Sequence, residues 1–127
     1  MQSTPLSTSE QELMSRWMER VARYQAGDQA AMPPEVIAIG TLRIFGRSGD
    51  VPLPFPQIRA IADLQRLPED AATAMAIANR TVAAYRARGN GRMVYATAPG
   101  ATQADPIEQI DPTRHSDVLI VGPIAGG

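Results

Sequence analysis

The stretch Asp117-Val118-Leu119-Ile120-Val121-Gly122-Pro123-Ile124-Ala125-Gly126-Gly127 decides how the rest of the chain is read. Val118 to Val121 is a β-branched and aliphatic run, the pattern of a buried central strand. Gly122-Pro123 ends it, because proline has no N–H for a ladder and fixes its own φ. Ile124 is a single apolar anchor after that break. Ala125-Gly126-Gly127 then leaves a tail almost without side chains. The plain reading of such a tail is a frayed terminus. The sharper reading makes the Gly127 carboxylate the working group. Glycines have no Cβ, so Gly126 and Gly127 can thread a narrow channel, where an enzyme adenylates the carboxylate and passes the acyl group to a nucleophile.

Upstream of this stretch the pattern alternates between helix and strand. Residues 1–7 read as disordered. A helix is expected over 9–26, opened by a capping box of Ser9 with Glu12, or of Ser7 with Glu10 in an alternative register. Its apolar stripe is Leu13, Met14, Trp17, Met18, Val21 and Tyr24. Glu12–Arg16 and Glu19–Arg23 are spaced as i,i+4 pairs, and Gly27 is the stop. The stripe, with the chain's one tryptophan, packs on the chain's own core or, on a second reading, offers Trp17, Met14, Met18 and Val21 to a partner.

Met32-Pro33-Pro34 breaks the chain. Glu35 to Phe45 reads as a strand, apolar on both faces from Val36 to Ile39, with Gly40 as a bulge or kink. Arg47-Ser48-Gly49-Asp50 is a turn. Val51 to Phe55 returns as a second strand that its prolines confine to an edge. Pro56 is expected to open a short helix with a stripe of Ile58, Ile61, Ala62 and Gln65 or Leu67, which Pro68 interrupts. A long helix follows to Arg88, its seam formed by Ala71, Met75, Ala78, Val82 and Tyr85, with Gly89 as its cap. After the Asn90-Gly91 turn, Arg92 to Ala98 alternates as a strand. Residues 99–116 form a loop in which Ile107 and Ile110 make a short helical turn or a small strand, and 117–124 is the final strand.

The pattern Asp117 to Gly127 resembles the C-terminus of the β-grasp sulfur carriers and ubiquitin-like proteins, among them the small subunit of molybdopterin synthase and the thiamine-pathway sulfur carrier. Thr41-Leu42-Arg43-Ile44-Phe45-Gly46-Arg47 resembles the first strand of such domains. Both stretches are also similar to the ubiquitin-like tail-assembly proteins of long-tailed phages. The resemblance implies an α+β chain, a β-grasp (ubiquitin-like) mixed sheet with an added N-terminal helix. Residues 1–34 would be the helical extension and 35–127 the β-grasp-like domain. Its last strand would lie parallel to its first at the sheet centre, with residues 56–91 supplying the crossover. The helix before the first strand and the second helix after the hairpin both depart from the compact sulfur carriers. The function implied is that of a carrier or modifier, not an enzyme. An activating enzyme would adenylate Gly127, with Gly126 as the slender approach and Pro123 and Ile124 aiming the tail. The alternative is a structural assembly module of a phage tail, and a third is a small ligand-binding α+β domain.

Composition narrows the other possibilities. Apolar content of 44% and charged content of 20% fit a soluble globular chain, and the absence of cysteine removes disulfides, thiolate catalysis and thiolate metal sites. A net charge of −1 draws the chain to neither nucleic acid nor membrane. No uncharged apolar run approaches ~20 residues, and no leader pattern opens the chain, so a cytoplasmic protein is expected. The partners expected are an adenylating enzyme or an assembly protein, with no cofactor. His115, the one histidine, reads as solvated or locally bonded, not as a metal ligand or a triad base. Arg80, Arg86, Arg88 and Arg92 form a basic group better explained by the helix dipole. Asp105, Glu108 and Asp111 share one side of a turn, and Gly46 to Gly49 lacks the Lys-Ser/Thr of a phosphate loop.

Overall fold

In the computed structural model, which describes residues 7–45, 51–88 and 93–121, the strand Asp117–Val121 lies in the middle of a five-stranded sheet. The strands are β1 (Val36–Phe45), β2 (Val51–Ile58), β3 (Met93–Thr97), β4 (Asp105–Pro106) and β5 (Asp117–Val121), in the spatial order β2-β1-β5-β3-β4. Helix α1 (Thr8–Gln25) precedes β1, and α2 (Glu69–Arg88) lies between β2 and β3. The fold is α+β with a mixed sheet. β1 and β5 pair in parallel from Thr41↔Asp117 to Phe45↔Val121, and the other pairings are antiparallel. A parallel pair requires a long crossover, and α2 sits within it.

α1 begins one residue earlier than the 9–26 reading. Ser7, not Ser9, is the N-cap: its hydroxyl accepts from the Glu10 N–H, and the Glu10 carboxylate accepts from the Ser7 N–H. Arg80 on α2 is bonded to the same carboxylate and, with Ser7, holds it below the usual glutamate range. At the other end Gly27 takes φ 109°, a conformation only glycine adopts freely. The Asp28 N–H reaches Arg23 O and the Gly27 N–H reaches Tyr24 O, so these two carbonyls of the last turn are satisfied.

The core has two lobes that share α2. Met14, Trp17 and Val21 of α1 pack with Met32, Val36, Ile58, Leu67, Ala71, Ala74 and Ile77. Met75, Ala78 and Val82 of α2 pack with Leu42, Phe55, Val94, Ala96, Ile110, Val118 and Ile120. α2 thus buries two sides, one on α1 and one on the sheet, and its alanines allow both close approaches. Arg20 fastens the first lobe: its Nε lies 2.9 Å from the buried Asp70 carboxylate at the start of α2, and its Nη1 donates to Ala31 O.

Three local expectations are corrected. Pro56 does not open a helix. β2 runs on to Ile58, and only two turns of 3-10 helix form, at Ile61–Arg66. Each residue before a proline is pushed toward extended backbone, so Val51, Leu53 and Phe55 keep the strand straight, and the Ile58 N–H to Pro112 O bond holds its end. The bulge lies at Ile37, between Val36 and Ala38, and leaves that side chain half-exposed instead of interior. Gly40 is regularly paired with Phe55, and a Cβ there would overlap the Phe55 ring. β5 is central but covered on one face only: Val118 and Ile120 are buried, whereas Leu119 and Val121 are half-buried on the face away from α2. Of the loop between β3 and β5, Asp105–Pro106 pairs with β3 and Ile110 joins the core.

Candidate functional site

β5 positions the candidate site. It is held between β1 and β3, with Val121 opposite Phe45 on one side and Met93 on the other. Parallel pairing makes β5 end at the same end of the sheet as β1. Val121, the last described residue of β5, thus lies in the middle of the sheet, paired with Phe45 and Met93. Gly122, Pro123, Ile124, Gly126 and Gly127 lie outside the described residues, as do residues 1–6, the 47–50 turn with the glycines around it, and Gly89 to Arg92.

The face of the sheet away from α2 carries an open groove of about 290 Å³ along β5. Arg43, Tyr95, Thr97, Ala104, Asp117 and Leu119 line it. Their chemistry is mixed, with one cation, one carboxylate and a phenol over an aliphatic floor. No nucleophile–base pair is assembled there.

At the opposite end, where β5 begins, a polar loop ties the sheet together. The Thr41 N–H donates to Ser116 O, the Ser116 N–H to Thr97 O, and the side chain of the buried Gln57 to His115 O at 2.9 Å. His115 Nδ1 accepts the Asp111 N–H at 2.9 Å, so that nitrogen carries no proton. Asp111 in turn accepts from the backbone and hydroxyl of Thr113. Burial opposes the charge on Asp111, but the bonds from Thr113 outweigh it and its carboxyl sits below the ordinary range. His115 is likewise depressed. Burial is the main cause and Arg114 adds to it, against the opposing pull of Asp111 and Asp105. The histidine is thus locally bonded, and among the described residues no cluster of His, Cys, Asp or Glu is placed to hold a metal ion.

A stability signature follows from this turn. The folded state favours neutral His115, so its contribution is complete above the ordinary value of 6.5 and is lost as pH falls through the lower folded value. The urea midpoint should drop between pH 7 and pH 5 by more in the native chain than in His115→Gln, which cannot gain the proton. Equal drops in the two proteins would remove His115 from this role.

Of the α1 residues read as a partner surface, Met14, Trp17 and Val21 are buried, and Trp17 donates its indole N–H to Pro54 O at 2.9 Å. They form the chain's own core, the first of the two readings. Met18 departs from the stripe and is 44% exposed, because the core-facing sector of α1 is narrower than the apolar pattern. Of the arginine group, Arg80 pairs with Glu10 and Arg86 lies 3.7 Å from Glu108, while the Arg88 side chain and Arg92 lie outside what is described. Of the three acids on the turn, Glu108 lies 3.7 Å from Arg86, Asp111 accepts from Thr113, and Asp105 stands on β4 opposite Ala96. The Gln57–His115 tie escaped the sequence reading, since nothing local links positions 58 residues apart. No helix among the described residues is long and apolar enough to cross a membrane. No family model matches the chain, and neither a curated protein nor a solved structure does.

Proposed function

We propose that this chain is a ubiquitin-like protein of the β-grasp type that serves as an acyl carrier or modifier through Gly126-Gly127. One observation carries the reading: the central parallel pairing of β1 with β5, within the strand order β2-β1-β5-β3-β4. It is the pairing that the resemblance at residues 41–47 and 117–127 implies. A helical crossover over one face, by α2, accompanies it. The strand before the diglycine is anchored on both sides by ladders, so the segment after it starts from a fixed point.

The chemistry belongs to a partner enzyme. An oxygen of the Gly127 carboxylate attacks the α-phosphorus of ATP, and pyrophosphate leaves. The acyl-adenylate then loses AMP to a nucleophile. A sulfur donor at the sulfide level gives a thiocarboxylate, and an amine gives an amide with release of a proton. Gly127 serves in this way as the chain end, whether synthesised so or exposed by proteolysis. This chain supplies the carboxylate and a docking body and is not itself the catalyst.

The test compares the chain ending at Gly127 with the same chain carrying one appended residue. ATP–pyrophosphate exchange by an adenylating enzyme of the same genome should depend on the first and vanish with the second. Equal behaviour of both chains, in exchange and in the cell, would leave the structural phage-tail reading in its place.

A further inference from the structure

We infer that the β2 edge of the sheet is sealed against strand addition by its own sequence, so that neither an extended peptide nor a second copy can extend the sheet there. β2 is the outer strand on that side, and an outer strand normally offers unpaired N–H and C=O groups to any passing chain. In an antiparallel ladder, alternate residues turn these groups toward the neighbour or away from it. The register sets Ile39, Thr41 and Arg43 opposite Pro56, Pro54 and Pro52. Thr41 gives its N–H to Ser116 O on the β5 side, away from β2. Thr41–Pro54 is therefore a pair whose backbone groups face outward. Pro54 O confirms this from the other strand, since it points away from β1 to the Trp17 indole. The two-residue period gives Pro52 and Pro56 the same outward orientation.

Every outward position of β2 from 52 to 56 is thus a proline, and none has an N–H. The leucine and phenylalanine between them spend their backbone groups on β1. The edge can accept hydrogen bonds but cannot donate one across three successive positions. An incoming strand would leave each carbonyl that faces these positions unpaired, which opposes its addition. The central acceptor is also occupied, because Trp17 is fully buried and bonded to it. Pro54 and Pro56 are buried as well, and only Pro52 remains exposed. The seal thus has two parts, three missing donors and one capped acceptor. Partners must therefore meet this side of the protein through side chains. The opposite edge is the two-residue strand Asp105–Pro106, which carries a charge and a further proline.

The experiment restores what is missing. The full chain is compared with Pro52→Val/Pro54→Val, which returns two donors, and with the same pair combined with Trp17→Phe, which also frees the acceptor. Sedimentation gives the mean mass, and amide hydrogen exchange locates any new pairing. Relative to wild type, the triple variant should show roughly a doubling of mean mass, as isologous edge pairing gives, with protected amides at 52 and 54. The double variant should fall between them. If the triple variant unfolds, Pro52→Val alone, at the exposed position, should still gain a concentration-dependent rise in mass that wild type lacks. A folded triple variant with the mass of wild type overturns the inference, and so does Pro52→Val with no rise when the triple variant cannot fold. Wild-type chains cross-linking through β2 would overturn it directly.

Discussion

Trp17→Ala should lower the folding free energy by about 3–5 kcal/mol, the range for emptying a large aromatic site in a core. That is a large share of the roughly 5–15 kcal/mol that holds a typical domain together. Two losses combine. The indole has no solvent exposure and fills the space among α1, α2 and the end of β2. Its N–H is also the donor to Pro54 O, and alanine leaves that carbonyl without it. Trp17→Phe separates the two. It keeps most of the apolar volume and loses the donor, so the cost should fall to about 1–3 kcal/mol. Urea unfolding followed by circular dichroism measures both. A loss below about 1 kcal/mol for Trp17→Ala, an ordinary value for any point change, would mean that α1 does not pack as described.

The second large effect concerns Gly40. Here the missing side chain is a packing requirement, not a matter of backbone freedom. Gly40 faces Phe55 across β1 and β2, and the Phe55 ring occupies the place a Cβ would take. Neither side can yield easily. β1 is held by β2 and β5, and Phe55 is wholly buried against α2 and the sheet. Gly40→Ala should cost about 3 kcal/mol, the upper part of the usual overpacking range. Phe55→Leu in the same chain should return part of that loss, because the clash is with the ring. A double-mutant cycle should give a coupling of about 1–3 kcal/mol between the two positions. Strictly additive effects would show that the ring does not lie over Gly40.

These residues also mark what the sequence made readable. Period alone exposed α2: Ala71, Met75, Ala78 and Val82 are all buried, as their spacing of four, three and four predicts. The alternation of Val94 with Ala96 identifies which face of β3 meets the core, whereas the unbroken apolar run Val118 to Val121 hid that β5 is covered on one face only. The parallel meeting of first and last strands was what the resemblance to β-grasp domains implied, and residues 56–91 are long enough to supply its crossover. What stayed hidden is register. Gly40 reads locally as a bulge or kink, and only its pairing with Phe55 reveals the reason for a glycine. The bulge at Ile37 belongs to the same class, since it depends on how two strands align.

The misplaced helix at Pro56 has a different cause. A proline at a helix start and a proline in an extended edge look alike in a short window. The alternation of Pro52, Pro54 and Pro56 was the signal that favoured the strand. For the candidate site, the central place of the strand that precedes it was legible, and residues 122–127 themselves lie outside the described residues. Met14, Trp17 and Val21 were on the correct stripe but belong to the core. Met18 shows how an apolar pattern one position too wide overstates a buried face.

The central claim is that an anchored β5 delivers a usable carboxylate at Gly127. Intact mass spectrometry of the chain ending at Gly127 tests it most directly, after incubation with ATP, a sulfide-level sulfur donor and an adenylating enzyme of the same genome. The expected result is a gain equal to the mass difference between sulfur and oxygen, or, with an amine target supplied instead, a covalent adduct joined through Gly127. An unchanged mass in both incubations, with an enzyme that forms its adenylate on another carrier, would contradict it.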